Sequence, residues 1–246
     1  MKSNNQIYGI RPVIEALKSG KEIEKIFLQK GLRGEGFQEL HATLRELDIP
    51  VQFVPIEKLN RLTRQNHQGV VAFVSEITYQ KPEQIIPFVY EQGRVPLLLV
   101  LDHLTDVRNL GAIARTAECA GVDAILLPEK GSAQVNQDAI KTSAGALYKI
   151  PVCRCHSLRE TILFMKDSGL KIVAASEKTE TDYTGCDLTV PLALIVGSEE
   201  SGITTELLAL ADERVRIPVH GEIESLNVSV AAGILLYEVL RQRSKA

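Results

Sequence analysis

The sequence predicts an α/β protein in which a larger C-terminal domain, built on a doubly wound parallel sheet, follows a small α/β domain. Two observations lead to this fold class. Short apolar runs alternate with stretches of helical periodicity, and strands that alternate with helices form parallel sheets. The run at 97–101 (LLLVL) is apolar at every position, as expected for a strand buried on both faces. The runs of the larger domain lie at 97–101, 124–127, 149–153, 171–175, 192–196 and 215–219.

The chain has room for one large domain or two modest ones, and we place a boundary within it. Residues 1–76 alternate strands and helices on a short scale and predict the small domain. Residues 77–95 contain Pro82, Pro87 and Gly93 with little periodicity, so they predict a linker with room for one short helix. The larger domain is expected over 96–246. In the small domain, strands are predicted at 24–29, 51–54 and 70–74, and helices after Pro12 and over 36–47 and 56–64.

Composition and charge exclude few functions. The chain is 45% hydrophobic and 24% charged, which is typical of globular proteins, and its net charge of −3 does not indicate a nucleic-acid-binding protein. Residues 1–76 hold 11 Lys and Arg against 9 Asp and Glu, an excess that permits RNA binding by the small domain without arguing for it. We expect no membrane span and no signal peptide, and therefore a cytoplasmic protein.

The cysteines favour neither disulfides nor a metal. Four cysteines in a chain of this length do not form a disulfide framework. Cys153 and Cys155 form a single CxC with no second pair, for which a strand end is a better interpretation than a zinc site. No metal site is predicted.

Ligands of open α/β sheets bind beyond the carboxyl ends of the strands, and three polar segments occupy such positions. In the first, Asn109 and Gly111 open a helix that continues through Arg115. Six residues correspond to about 600° of helix rotation, so Asn109 and Arg115 lie about 120° apart. Both can border one pocket only if Asn109 lies in the loop before the helix.

The second and third segments follow the runs at 192–196 and 215–219. Gly197 and Gly202 enclose a loop with two carboxylates, including Glu199, which a plain turn would not need. Residues 224–229 (ESLNVS) precede a helix that is apolar all round and that we expect inside a domain or an interface. Helix capping explains one residue of this cluster but not all of them, so we expect the cluster to face a ligand.

Common motifs are missing. There is no GxGxxG after the first strand, no GxxxxGK[ST], no HExxH and no GxSxG, which disfavours a nucleotide- or NAD-using enzyme, a zinc enzyme and a serine hydrolase. The loop at 64–69 (RQNHQG) fits a solvated turn and an RNA contact equally well. From composition and spacing alone, the sequence predicts an α/β domain with a polar site built from three loops.

The three segments resemble the three signature motifs of the SpoU (TrmH) class of RNA ribose 2′-O-methyltransferases in the SPOUT superfamily. The matching stretches are 109–115 (NLGAIAR), 194–202 (LIVGSEESG) and 217–231, which includes Ser225, Leu226 and Asn227. They occur in the expected order and spacing, and the resemblance covers roughly residues 96–243. The first 76 residues are similar to the substrate-binding domain of the subgroup that methylates a guanosine of 23S ribosomal RNA. One departure is 103–108 (HLTDVR), where the family commonly has Pro just before the motif.

This resemblance implies a deep trefoil knot, S-adenosyl-L-methionine as cofactor, and a homodimer whose interface helps to build the active site. It implies cofactor binding by Gly197, Ile217, Leu226 and Ser225. The matching catalytic set is Arg115, Asn109, Glu199, Ser225 and Asn227. A guanidinium is a poor base, so we expect Arg115 to hold RNA phosphate and stabilise the forming alkoxide while the proton leaves to Glu199 or water.

The expected activity is 2′-O-methylation of a guanosine ribose in 23S rRNA. Two alternatives stay open: ribose methylation of tRNA, because the motifs do not name the RNA, and an RNA-binding homologue without activity.

Overall fold

A computed structural model describes residues 6–46, 49, 51–198, 201–223 and 225–245. The chain divides into two units, Met1–Thr78 and Tyr79–Ala246, each with its own apolar core. The described residues contain no helix that is both long enough and apolar enough to cross a membrane.

The first unit is a four-stranded sheet in the order β1-β4-β2-β3, with β2 and β3 parallel and the other pairs antiparallel. Helices α1 and α2 bury Val13, Ile14, Leu40 and Leu44 against one face of the sheet. Strand β1 was not predicted, since three residues carry too little pattern. The elements are β1 (Gln6–Tyr8), α1 (Ile10–Lys18), β2 (Ile23–Gln29), α2 (Glu35–Glu46), β3 (Val51–Val54), α3 (Ile56–Leu62) and β4 (Val70–Val74). Leu47, predicted as the last residue of α2, lies outside the described residues.

The loop before β4 is built around a buried histidine. His67 is 8% exposed, its Nδ1 accepts from the Gly69 N–H at 3.0 Å, and its Nε2 lies 2.9 Å from Asn60 Oδ1. Gly69 has φ +79°, and a Cβ there would come within 2.9 Å of the Leu32 side chain. His67 therefore has a structural role, while Arg64 stands exposed in the same loop.

The second unit contains the predicted parallel sheet, with six strands in the order β10-β8-β9-β5-β6-β7. Strand β5 is buried at all six positions and pairs with β9 in the centre. The α/β class and the parallel sheet are confirmed. The strands are β5 (Leu97–Asp102), β6 (Ala124–Pro128), β7 (Val152–Cys155), β8 (Lys171–Ala175), β9 (Leu192–Gly197) and β10 (Glu213–Val215). The helices are α4 (Pro82–Glu91), α5 (Val107–Cys119), α6 (Gln137–Thr142), α7 (Leu158–Asp167), α8 (Thr205–Leu210) and α9 (Val228–Arg243).

Most of the stretch predicted as a linker, 77–95, is helix α4. Ile85, Ile86 and Val89 of this helix are buried in the core of the second unit. Pro82 is compatible with a helix because it occupies the first turn, where its missing N–H has no partner in any case. The sequence leaves room for one short helix here, and the structure shows that this helix belongs to the second unit.

Two predicted strands differ in extent. Strand β10 ends at Val215 instead of reaching 219, and Pro218 has no N–H to donate to a ladder. Strand β7 begins at Val152, after Pro151, instead of at 149. Cys153 and Cys155 lie in β7, as expected for a strand end, and burial raises the pKa of the Cys155 thiol to about 11.

Helix α9 is buried on one side only within a single chain. Ala232, Leu235 and Val239 are fully buried, whereas Val230 and Tyr237 are 50% and 53% exposed. Of the two expected surroundings, a domain interior and an interface, the exposed apolar side fits the second.

Candidate functional site

A cavity of about 400 Å³ opens at the carboxyl ends of β8, β9 and β10. This volume lies in the range of small-molecule sites, roughly 300 to 1,000 Å³. The position is the one expected for ligands of open α/β sheets. The described residues that line the cavity are 175–178, 196–198, 201, 202, 215–217, 219, 225, 226, 228 and 231.

Gly197, at the end of β9, lies directly against the backbone of Gly202. A Cβ on Gly197 would stand 2.1 Å from the Gly202 carbonyl carbon, so no other residue fits here without moving the loop. The Gly202 N–H donates to the Ser198 carbonyl at 2.9 Å, and the Ser198 and Ser201 hydroxyls lie 2.8 Å apart. These contacts fold the loop into a tight turn whose backbone forms a cavity wall. Glu199, predicted in this loop, lies outside the described residues.

The polar cluster before α9 both caps the helix and reaches a second helix. Asn227 Oδ1 accepts from the Ser229 N–H at 2.9 Å, which is the capping role that we had considered as the alternative. Its Nδ2 donates to Asn109 Oδ1 on α5 at 3.1 Å. Ser225 and Leu226, directly before the cap, line the cavity. Glu224, the carboxylate of this cluster, is outside the described residues.

The structure thus brings together most of the predicted site. Gly197, Ile217, Ser225 and Leu226 line one cavity. Asn109 and Asn227 are hydrogen-bonded to each other where α5 and α9 begin.

Arg115 is separate from this group. Asn109 lies inside α5, in its first turn, so the condition under which both residues could border one pocket is not met. Arg115 is exposed, and the described residues that line the cavity do not include it.

Sequence reasoning missed the wall that follows β8. Ser176, Glu177 and Lys178 line the cavity, and the Ser176 hydroxyl accepts from the Lys178 N–H at 3.2 Å. Arg216 also lines the cavity and forms an ion pair with Asp182 at 2.9 Å. The available signal was position, because 176–178 come directly after a buried parallel strand.

The described part of the chain contains no group of three or more His, Cys, Asp or Glu arranged to hold a metal ion. The cavity offers backbone groups, hydroxyls, apolar side chains, one carboxylate (Glu177) and two cations (Lys178 and Arg216), which suits an organic ligand with polar and apolar parts.

Fold and cavity together define an α/β protein with a small-molecule site at the carboxyl ends of parallel strands. Two family models match the chain. The SpoU rRNA methylase family matches residues 96–237, more than half of the chain, and a domain described as RNA 2′-O ribose methyltransferase substrate binding matches residues 6–80.

Full-length relatives agree with these matches. A protein of Staphylococcus haemolyticus named for the TrmH family of tRNA/rRNA methyltransferases is 36% identical over 237 residues, covering 96% of this chain and 95% of its own. The chain therefore belongs to the SpoU/TrmH family of RNA 2′-O-methyltransferases.

Two solved structures are similar over different lengths. The AdoMet-bound rRNA methyltransferase of Sinorhizobium meliloti is 27% identical with a TM-score of 0.62, over 96% of this chain and 86% of that one. The TrmH/SpoU tRNA modifying enzyme of A. aeolicus is 30% identical with a TM-score of 0.57, over 66% of this chain and 84% of that one.

Proposed function

We propose that this protein uses S-adenosyl-L-methionine to methylate the 2′-hydroxyl of a guanosine ribose in 23S ribosomal RNA, and that it works as a homodimer in the cytoplasm. The observation that carries the proposal is that the second and third motifs line one cavity and the first motif is hydrogen-bonded to the third. Gly197 and Leu226 come from different motifs and line the same space, and Asn109 of the first motif is bonded to Asn227 of the third.

The cavity fits the proposed cofactor. The backbones of Gly197 and Gly202 lie in contact because Gly197 has no side chain. Ile217 and Leu226 supply apolar surface to the cavity, and Ser225 supplies a hydroxyl. Gly197, Ile217, Leu226 and Ser225 would hold S-adenosylmethionine, which supplies an electrophilic methyl group when bound. We also propose that the segment around the cavity is threaded as a deep trefoil knot, as the family resemblance implies.

The chain's own residues would orient the RNA for in-line transfer. The Asn109–Asn227 pair presents amide groups beside the cavity, where they can hold the ribose of the target nucleotide. Ser225 adds a hydroxyl at the same entrance. The 2′-hydroxyl proton would leave to Glu199 or to water, and a guanidinium would stabilise the alkoxide as it forms.

We infer that Arg115 acts in the active site of the other subunit. Its side chain is exposed on α5, and α5 packs beside α9, whose Val230 and Tyr237 form an exposed apolar side. A dimer formed through this side of α9 would cover apolar surface and would let Arg115 of the partner subunit approach the cavity.

Mixing two impaired variants, at a cofactor concentration too low for Gly197→Ala to bind it, tests this arrangement. Arg115→Ala lacks the guanidinium, and Gly197→Ala lacks a normal cavity. If arginine acts across the interface, mixed dimers contain one intact site and recover about a quarter to a half of the wild-type rate. Mixtures that stay as inactive as the separate variants would place Arg115 and the cavity in the same subunit's site.

The share of this chain that aligns with each solved structure favours ribosomal RNA over tRNA as the substrate. The rRNA methyltransferase of S. meliloti aligns with 96% of this chain, whereas the tRNA modifying enzyme of A. aeolicus aligns with 66%. The difference between these two aligned fractions is similar in size to residues 6–80, which the substrate-binding family model matches. We infer that the first unit selects the RNA.

The test of substrate is methyl transfer from labelled S-adenosylmethionine to purified 23S rRNA and, separately, to bulk tRNA. We expect label in one guanosine ribose of 23S rRNA, located by nuclease protection. Label in tRNA alone would overturn the proposed substrate and keep the chemistry. Cofactor binding without transfer to either RNA would favour a different RNA or a required ribosomal context, whereas loss of cofactor binding as well would support the alternative of an inactive RNA-binding homologue.

A further inference from the structure

His103, directly after β5, has an unusual backbone conformation. Its φ is +53°, in the left-handed region that glycine adopts most easily. Histidine tolerates this region better than most residues, but the conformation still needs support from its surroundings. Glycine would therefore adopt this conformation with less strain than histidine. The presence of a histidine at this position needs an explanation.

A buried carboxylate fixes the orientation of the imidazole. Asp102 is 1% exposed, and its Oδ1 lies 2.6 Å from His103 Nδ1, while its Oδ2 accepts from the Thr204 N–H at 2.7 Å. A carboxylate can only accept, so the Nδ1 proton belongs to histidine, and Nε2 is the ring atom left to make another contact. The His103 side chain is 50% exposed.

The loop after β6 makes space for the ring on its other side. Gly131 has φ +74°, and a Cβ there would stand 3.1 Å from His103 Cδ2 and 3.6 Å from Nε2. A side chain at position 131 would thus crowd the His103 ring. Among the described residues, no hydrogen-bond partner is found for Nε2.

His103 also stands at the edge of the sheet where the cavity opens. Asp102 is paired in register with Gly197, which lines the cavity, and Thr204 follows Gly202, which lines it too. A strand of RNA that approaches the cavity across this edge of the sheet would pass beside His103.

We propose that His103 binds the substrate RNA, with Nε2 accepting a hydrogen bond from a ribose hydroxyl of the RNA backbone and Asp102 holding the ring in position. This inference rests on the function proposed above. It gives the imidazole at this position a specific purpose, which is to anchor the strand next to the target ribose.

His103→Gly tests the proposal, because glycine relieves the backbone and removes the ring. We expect a melting temperature equal to wild type or raised by about 2 °C. The cofactor Kd should stay within about twofold, while KM for transcribed 23S rRNA rises about tenfold, the value of one hydrogen bond between polar groups. His103→Asn, which tolerates the same backbone and can still donate to Asp102, should raise KM by a similar factor.

His156→Ala is the matched control. His156 follows β7 at the same edge of the sheet, its Nδ1 lies 3.2 Å from Glu129 Oε2, and its side chain is 73% exposed. Its backbone φ is not positive. We expect a wild-type KM from this variant.

Two results would overturn the proposal: a wild-type KM for His103→Gly, or a loss of cofactor affinity and melting temperature in parallel with KM, which would give the ring a purely structural role. Filter binding of the same RNA separates this inference from the proposed activity. If wild type binds the RNA without transferring methyl, the activity fails, and the RNA affinities of wild type and His103→Gly still decide the role of His103. If wild type neither binds nor methylates RNA, both proposals fall.

Discussion

At the scale of single residues, the cavity wall depends on a contact between two glycine backbones. Gly197 ends a central strand, and Gly202, with φ +66°, returns the loop onto it. The distance from the position of a Gly197 Cβ to the Gly202 carbonyl carbon, 2.1 Å, is far below any van der Waals contact.

Gly197→Ala should therefore damage cofactor binding. The methyl group displaces backbone and not a flexible side chain, and overpacking of this kind costs about 1–3 kcal/mol, or roughly a tenfold to hundredfold rise in cofactor Kd. Calorimetric titration with S-adenosylmethionine measures it. Gly185→Ala is the control, because a Cβ on Gly185 meets no atom of the described residues within 4 Å. Equal affinities for the two variants would contradict the role given to Gly197.

The role of a single residue could be predicted from the sequence where that role depends on contacts with residues nearby in the chain. Gly197 and Asn227 stand out in the sequence because tight turns and helix caps use short-range contacts. The position of Arg115 relative to the cavity could not be predicted, because the direction in which a helical residue points depends on how the helix packs. The wall formed by Ser176 and Lys178 has no distinctive residue type, so its position after a strand was the only clue.

At the scale of elements, α5 and α6 approach closely at Gly111. A Cβ on Gly111 would lie 2.6 Å from Thr142 Cβ and 2.7 Å from the Ala139 carbonyl oxygen. In the sequence, Gly111 belongs to the first motif, yet the structure gives it a packing role. The close approach supports the helix that carries Asn109.

Gly111→Ala should lower the free energy of unfolding by about 1–3 kcal/mol, because overpacking outweighs the better helix propensity of alanine. Gly233→Ala is a matched comparison within α9, since among the described residues its Cβ would meet only Thr116 Cγ2, at an ordinary 3.6 Å. That variant should be neutral or stabilised by up to about 1 kcal/mol. Urea unfolding distinguishes them, and equal destabilisation of both would show that glycine flexibility, and not close packing, is what matters.

Asp212 connects three neighbouring elements. Its Oδ1 lies 2.6 Å from Lys166 Nζ of α7, and its Oδ2 accepts from the Ile172 N–H of β8 at 2.8 Å, just before β10 begins. Burial alone would raise the pKa of Asp212, but Lys166 and the Ile172 N–H outweigh it and hold the pKa below the ordinary 3.8.

Because the folded-state pKa is depressed, this stabilisation is present above the ordinary value and is lost as pH falls through the folded-state pKa. Asp212→Asn should be less stable than wild type at pH 7 by about 1 kcal/mol, a small value since the pair is partly exposed and screened by solvent. The difference should shrink below about pH 4 as wild type becomes protonated. Thermal unfolding from pH 3 to 7 checks this, and a difference that does not change with pH would exclude the ion pair as its source.

Elements were predictable where the apolar pattern was strong and uninterrupted. The central strands β5 and β9 are such cases. The extent of helix α4 and the end of β10 were not, because proline is compatible with a helix start and with irregular chain alike, and only packing decides between them. Tertiary contact from Ile85 and Ile86 makes α4 part of the second unit.

At the scale of the whole molecule, alternation of strands and helices predicted a parallel sheet but not its order. Strands β5 and β9 are both continuous apolar runs, and neither sequence indicates which strand pairs with it in the sheet. Their pairing in the centre of the sheet brings the first and second motifs to one edge. The knot and the homodimer stay predictions that rest on the family resemblance.

The pairing of β5 with β9 has a kinetic consequence. Leu97 lies opposite Leu192, so the centre of the sheet joins positions 95 residues apart (192 − 97). Closing so long a loop lowers the entropy of the chain before stabilising contacts form. Chains with such distant pairings therefore fold slowly and through intermediates. After dilution from denaturant, helical circular dichroism should return first and cofactor affinity last, because the cavity cannot exist until β9 has entered between β5 and β8.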